Sequence, residues 1–300
     1  VRSGARRLRI AGFGDSIFDV FPSRHEEQLG GNALNVAVFA RRRGAAGAYT
    51  GVVGDDERGE RVLGALAAEG VDTELVRVVP GETGWVRVDL LEGDRAFVSG
   101  NRGGVTRSSP YRVDAIARRY LGSFDLVHSS VYSAAEAELP KLDRARSVVS
   151  FDFSSDESQR ESAYLDLVCP HVDVAQFSCP GLDDAAVEGV LRDAVDAGAG
   201  AAVATRGAAG AMAVVGGRLA SVGAAYVPPD DVIDTTGCGD VFFTTFAMEL
   251  LTLGDPRTAP PAPEEIARCL RLGAVDAAAQ CRVLGALGHT WPIAGDIVHA

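Results

Sequence analysis

The feature that most constrains this chain is a regular alternation of short apolar strands with amphipathic helices, interrupted once by a patch of hairpin character. LRIAGFG reads as a strand ending in a glycine turn, and NALNVAVFARRRGA, from Asn32, carries apolar residues at helical spacing up to Gly44. AYTGVVG is a buried strand, and DERGERVLGALAAEGV is a helix that starts at an acidic turn and stops at Gly70. FDLVHSSV, SVVSFDFS, VDVAQFS and GAAVATRG are further strands, the last followed by the apolar AMAVV and LASVG. LDDAAVEGVLRDAVDAGA is a helix, and two long helices follow, one after Gly239 and one from about Glu264 to Arg282. Buried strands separated by helices imply α/β architecture with a mostly parallel sheet covered on both faces. The exception is ELVRVV, TGWVRVDLL and RAFVSG, which alternate or run apolar, with a turn expected at Glu92-Gly93-Asp94. That patch implies a small β appendage serving as a lid over a site. The expectation is one domain over residues 1–300, its lid drawn mainly from about 74–103 and from the segment near 15–30.

Composition excludes several functions. Of 300 residues 47% are hydrophobic, ample for one large core. With 29 basic and 41 acidic side chains the formal charge is −12, so there is no electrostatic footprint for nucleic acid. An anionic substrate therefore needs a local positive site. Five cysteines without a CxxC pair argue against a disulfide framework and against structural zinc. No stretch has the length of a membrane span. The basic start, VRSGARRLRI, lacks the apolar run of a signal peptide and reads as a polar tail, so the expected location is cytoplasmic. The only lysine is Lys141, which rules out both a P-loop and a protein-kinase strand lysine. Any nucleotide here must be held by backbone amides and arginines.

Three segments carry candidate chemistry. In VIDTTGCGDVFFTTFAMELL a strand end meets two threonines, Gly237, Cys238, Gly239 and Asp240 before a helical pattern. Glycines let the backbone approach a ligand, and a helix N-terminus offers unpaired N–H groups and partial positive charge. Together they form an anion hole with Asp240 at its mouth; the plainer reading makes Asp240 a helix cap. In GGNALNVAVFARRRGA, Gly30 and Gly31 allow close approach to a polyol, and Asn35 offers donor and acceptor; the alternative is a glycine turn before a helix. GFGDSIFD places Asp15 and Asp19 after the first strand, as ligands or as loop acids. His128 reads as a packed core histidine, and Trp85 as packing within the β patch.

DTTGCGD resembles the second signature of the ribokinase-like (PfkB) carbohydrate kinases, usually Asp-Thr-x-Gly-Ala-Gly-Asp, with Cys238 where alanine is common. GGNALNVAVFARRRGA resembles the first signature, and the likeness runs in order from about Leu8 to Gly288. The resemblance implies a ribokinase-like three-layer α/β/α fold with a small β-sheet lid, and ATP-dependent phosphorylation of a sugar hydroxyl. It makes Asp240 the base and the amides of Gly237, Cys238 and Gly239 the stabilisers of the transferred phosphoryl; an Asp base can work with a near-ordinary pKa, because proton transfer is late when the transition state is loose. Asp15, Asp19, Gly30, Gly31, Asn35 and Asn101 would bind the sugar. Thr205, Gly207 and Gly210 of TRGAAG, with Thr235, would bind the nucleotide, and Arg206 would reach a phosphate or remain a solvated turn residue.

The implied cofactor is Mg2+ with ATP, and a monovalent cation is left open. The family's Asn-x-x-Glu motif is missing from VDVAQFSCPGLDD, and neither Asp183 nor Asp184 has the right spacing, so no metal ligands are assigned. SFDFSS keeps Asp152 but has Ser154 where the family has asparagine. These departures, with FDLVHSSVY and FDFSSDES, resemble the fructoselysine 6-kinase branch, implying a fructosamine acceptor phosphorylated at its 6-position. Ribokinase, fructokinase and nucleoside kinase are the alternatives within the family. A catalytically degenerate sugar-binding protein is the alternative outside enzymes, and the intact Asp240 opposes it. Family members use the β appendage both as a lid and as a dimer contact, so the resemblance leaves a homodimer open.

Overall fold

In the computed structural model, residues 6–91 and 94–293 are described. Glu92 and Gly93 of the expected turn, and the first five residues of the polar tail, lie outside the described residues. The chain runs β1 (Arg9–Gly14), β2 (Ile17–Phe21), β3 (Glu26–Gly30), α1 (Asn32–Arg42), β4 (Ala46–Gly54), α2 (Glu57–Ala68), β5 (Arg77–Val79), β6 (Trp85–Leu91) and β7 (Asp94–Gly100). It continues through α3 (Val105–Ser108), α4 (Ala115–Leu121), β8 (Leu126–Ser130), β9 (Val148–Asp152), α5 (Ser162–Val168), β10 (Val174–Ser178), α6 (Asp184–Asp196) and β11 (Ala201–Thr205). β12 (Ala211–Val215), β13 (Arg218–Val222), α7 (Cys238–Thr252), α8 (Pro263–Gln280) and β14 (Thr290–Pro292) complete it.

The large sheet has the order β13-β12-β11-β10-β9-β8-β1-β4-β5. Its strands are parallel from β11 to β5, and β12 and β13 add antiparallel strands at the other edge. Strand alternation sorts the side chains onto two faces. Ile10, Leu126, Val148, Val174 and Val203 pack with Phe243, Phe246 and Leu250 of α7, Ile266 and Leu270 of α8, and Val36 of α1. Phe13, Val127, Val149, Phe151 and Phe177 pack on the opposite face with Leu121 of α4, Leu165 of α5, and Val187 and Leu191 of α6. The result is a three-layer α/β/α sandwich. α7 is buried on most of its circumference, from Val241 to Ala247, because it lies between the sheet and its neighbours α1 and α8.

A second, smaller sheet has the order β14-β3-β2-β6-β7. Two details differ from the sequence expectation. Residues 77–79, grouped there with the hairpin patch, pair in parallel with β4 and form the edge of the large sheet. Val79 and its neighbour Leu75 pack on the large core, which local alternation does not reveal. β14 was not anticipated; it joins the small sheet beside β3 from the far end of the chain. Phe18 and Val20 form the buried face of β2, with Arg58 of α2 over the rings of Phe18 and Trp85. Among the described residues no helix is long and apolar enough to cross a membrane.

Candidate active site

The face of the large sheet under α7 changes character along its strands. Ile10, Leu126, Val148, Val174 and Ala201 lie toward the strand beginnings and are apolar. Two and four residues on, the same face carries His128 and Ser130, Ser150 and Asp152, Gln176 and Ser178, and finally Thr205. Polar groups thus collect at the carboxyl ends of the parallel strands, where ligands of open α/β sheets bind.

The N-terminus of α7 comes to the same place. Its cap is Gly237 at φ 75°, a left-handed conformation, and a Cβ there would stand 2.9 Å from the Ala286 methyl group. No side chain caps the helix. Asp234 holds the preceding turn, accepting from Thr236 N (2.9 Å), Thr236 Oγ1 (2.7 Å) and Gly285 N (3.0 Å). The carbonyl of Cys281, just after α8, accepts from Ile233 N at 2.8 Å. The Cys238 thiol turns toward α8, 3.4 Å from Cys281 Sγ, and burial pushes its pKa up, so it stays protonated.

Asp240 is the third residue of α7 and does not cap it. It is 8% exposed and its Oδ2 accepts from Asn35 Nδ2 at 2.7 Å. Asn35 and Asn32 lie three residues apart on α1, so both amides leave the same helix face. Asn32 Nδ2 donates to Asp152 Oδ2, whose other oxygen accepts from Ser154 N at 2.6 Å. Two asparagines thereby hold two buried carboxylates. Burial, then the neighbouring charge of Asp152, raises the Asp240 pKa to about 8, against the opposing bond from Asn35. Burial raises Asp152 to about 6. The near-ordinary pKa expected for the base is therefore corrected: Asp240 is a proton-holding acid in the unliganded site.

The remaining expected residues divide into groups. Gly31, at φ 119°, joins β3 to α1; a Cβ would meet Asp15 O and Ser16 Cα at 2.8 Å. Gly30 is open toward the Asn35 amide, whose atoms lie 3.9 and 4.0 Å from its Cβ position. Asp19 is half-buried on β2, on the face shared with Ile17 and opposite Phe18. Asp15 is 4% exposed, and its carboxylate is taken up by the protein: it accepts from Asn32 N (2.7 Å), Ala33 N (3.2 Å), Ser130 Oγ (2.8 Å) and Ser133 Oγ (2.7 Å). It anchors the start of α1 beneath the site. Asn101 ties the small sheet together, donating to Thr83 O (2.9 Å) and accepting from Trp85 N (2.9 Å).

Thr205 ends β11 in register with Ser178, while Gly207 and Gly210 form the next turn at positive φ. Thr235 is exposed in the loop before α7. Arg206 is neither solvated nor free for a phosphate, since it is buried, paired with Asp184 and bonded to Ala209 O at 2.8 Å. Asp183 caps α6 through Ala186 N at 2.8 Å. His128 is packed, as expected, against Phe243, and burial lowers its pKa to about 3. Sequence reasoning missed Asn32, Asp152 and Gln176 as site residues. The signals were present: a second asparagine at helical spacing, and polar residues interrupting buried strands.

The model of the pfkB family carbohydrate kinases matches residues 21–293. The chain is 36% identical over 289 residues to the fructosamine kinase FrlD of Bacillus subtilis (strain 168), covering 95% of each. It is 32% identical over 238 residues to the fructoselysine 6-kinase of Escherichia coli (strain K12), covering 79% of this chain and 87% of that one. Its fold matches the crystal structure of fructokinase with bound ATP from Xylella fastidiosa at TM-score 0.76 and 22% identity, over 93% and 94% of the two chains. Fold and relatives together define an ATP-dependent carbohydrate kinase of ribokinase-like fold. The chain belongs to the PfkB family.

Proposed function

We propose that this kinase phosphorylates the 6-hydroxyl of a fructosamine, a ketose linked to an amine, with fructoselysine as the model acceptor. The observation that carries this reading is the match to a fructosamine kinase at 36% identity over 95% of both chains. The absence of the Asn-x-x-Glu motif after β10 agrees with it.

In the proposed reaction the sugar lies between Gly30, Gly31, Asn35 and the small sheet carrying Asp19, and ATP lies across the ends of β10 and β11. Asp240 takes the proton of the attacking hydroxyl, held in place by Asn35. The N-terminus of α7 faces the phosphoryl group, where its partial positive charge offsets the charge developing on the oxygens. Magnesium fits as an ion carried in on the phosphates. Among the described residues no group of three or more His, Cys, Asp or Glu side chains is placed to hold a metal, and magnesium commonly keeps several waters. Asp152 is the hard oxygen donor that would meet such a hydrated ion, which supplies neutralising charge to the phosphates.

The test is a panel of acceptors with ATP consumption as readout: fructoselysine, other fructosamines, fructose, ribose and a nucleoside. A kcat/KM highest for the fructosamines supports the reading, and a free ketose, pentose or nucleoside preferred over them overturns it.

A further inference from the structure

Toward the end of β10, Gln176 has both of its side-chain polar atoms buried and unpaired. It is 1% exposed, yet neither Oε1 nor Nε2 makes a hydrogen bond among the described residues. Leaving a buried amide group unpaired costs on the order of 1–3 kcal/mol, so such groups normally have a partner. Part of its surroundings is apolar. Val174 on the same face is apolar, and Val203 is the register partner on β11, so leucine or methionine would suit this position in a purely structural strand.

Its location says what the partner is. On the other side Gln176 is in register with Asp152 of β9. Its Nε2 lies 3.9 Å from where a Cβ on Gly239 would stand, placing the amide against the second residue of α7, one before Asp240. A helix N-terminus favours an anion, and a buried donor aimed at that end is a second, independent pointer to the same ligand. The group that arrives beside the catalytic acid is the phosphoryl being transferred.

We propose that Gln176 is a catalytic residue of this kinase, its Nε2 donating a hydrogen bond to an oxygen of the phosphoryl group in transfer; this rests on the phosphotransfer reading above. Oε1 then accepts from water carried in with the phosphates. A neutral amide suits this position. Charge on the phosphoryl oxygens is met by a preorganised donor, while Asp240 keeps a carboxylate environment able to hold and release a proton. The chain's only lysine, Lys141, is bonded to Glu138, and Arg206 is committed to Asp184, so an amide takes the role a cation plays in other phosphoryl sites.

The test compares Gln176→Leu and Gln176→Met with the full-length wild type in three measurements: thermal stability without ligand, kcat and both KM values, and affinity for Mg-ADP with and without aluminium fluoride, a mimic of the phosphoryl in flight. The expected result is a Tm equal to or above wild type, a kcat lower by about 100-fold with both KM values within about threefold, and loss of the gain that aluminium fluoride gives to Mg-ADP binding, with Mg-ADP alone unaffected. Wild-type kcat in a stably folded variant overturns the proposal, as does a raised ATP KM at unchanged kcat, which marks a ground-state contact. A Tm several degrees lower in both variants also overturns it, because Gln176 is then structural. If the wild type phosphorylates no ketose in the panel, the acceptor reading fails, while the aluminium fluoride comparison still decides the role of Gln176.

Discussion

Asn35 Nδ2 donates to Asp240 Oδ2 at 2.7 Å, joining the first turn of α1 to the first turn of α7 across 205 residues of sequence. The bond favours the ionised carboxylate, while burial and Asp152 favour the protonated acid. Asn35→Leu removes the only one of these influences that lowers the pKa. We expect the pH limb of kcat/KM assigned to Asp240 to move upward, with activity at pH 7 falling by about 10- to 100-fold and partly recovering in alkali. A pH–rate profile with an unmoved limb contradicts the coupling.

Asp240→Asn removes the proposed base. Turnover should fall by about 10²- to 10⁴-fold while ADP affinity, measured by calorimetry, changes little. Stability responds in the opposite sense. Asp240 holds its proton to about pH 8 when folded and to about 3.8 when unfolded. Between these values the folded state binds the extra proton, so its stability falls as pH rises. The asparagine variant lacks this loss, and its Tm advantage over ligand-free wild type should grow from pH 5 to pH 8. A constant Tm difference across that range would show that Asp240 is not a buried, shifted acid.

Asp152 acts on Asp240 through charge. Its pKa of about 6 lies below that of Asp240, so it is already ionised when Asp240 titrates. Asp152→Asn takes away that like charge and should shift the Asp240 limb to lower pH, the reverse of the Asn35 variant. Profiles of the two single variants and the double variant check the opposite signs directly.

Asp15 and Asp19 are four residues apart and should fail differently. Asp15 accepts four hydrogen bonds at the start of α1 and on Ser130 and Ser133, so Asp15→Ala should cost on the order of 2–4 kcal/mol of stability. Asp19→Ala on β2 should raise the sugar KM about tenfold, with ATP KM little altered. Chemical denaturation with steady-state kinetics separates the two, and an unaffected sugar KM would remove Asp19 from the pocket.

Much of the fold was legible because its determinants are local. Apolar strands and helical periodicity marked the large sheet, and glycines at Gly31 and Gly237 marked turns that demand positive φ. DTTGCGD marked Asp240 itself, since a glycine turn into a helix N-terminus is written in consecutive residues. What the sequence could not decide depends on partners distant in the chain. The strand at 77–79 looks like its hairpin neighbours but finds β4, and β14 finds β3. Asp15 and Asp19 look alike as loop acids until packing buries one under α1 and leaves the other half-exposed on β2. The pKa of Asp240 followed the same rule: its residue type and helix position are local, but its proton affinity is set by burial and by Asp152, which only the assembled sheet and helices bring together. The sequence by itself determined which acid stands at the N-terminus of α7, and the tertiary structure decided how tightly that acid holds its proton, because burial and the placement of distant charges exist only in three dimensions.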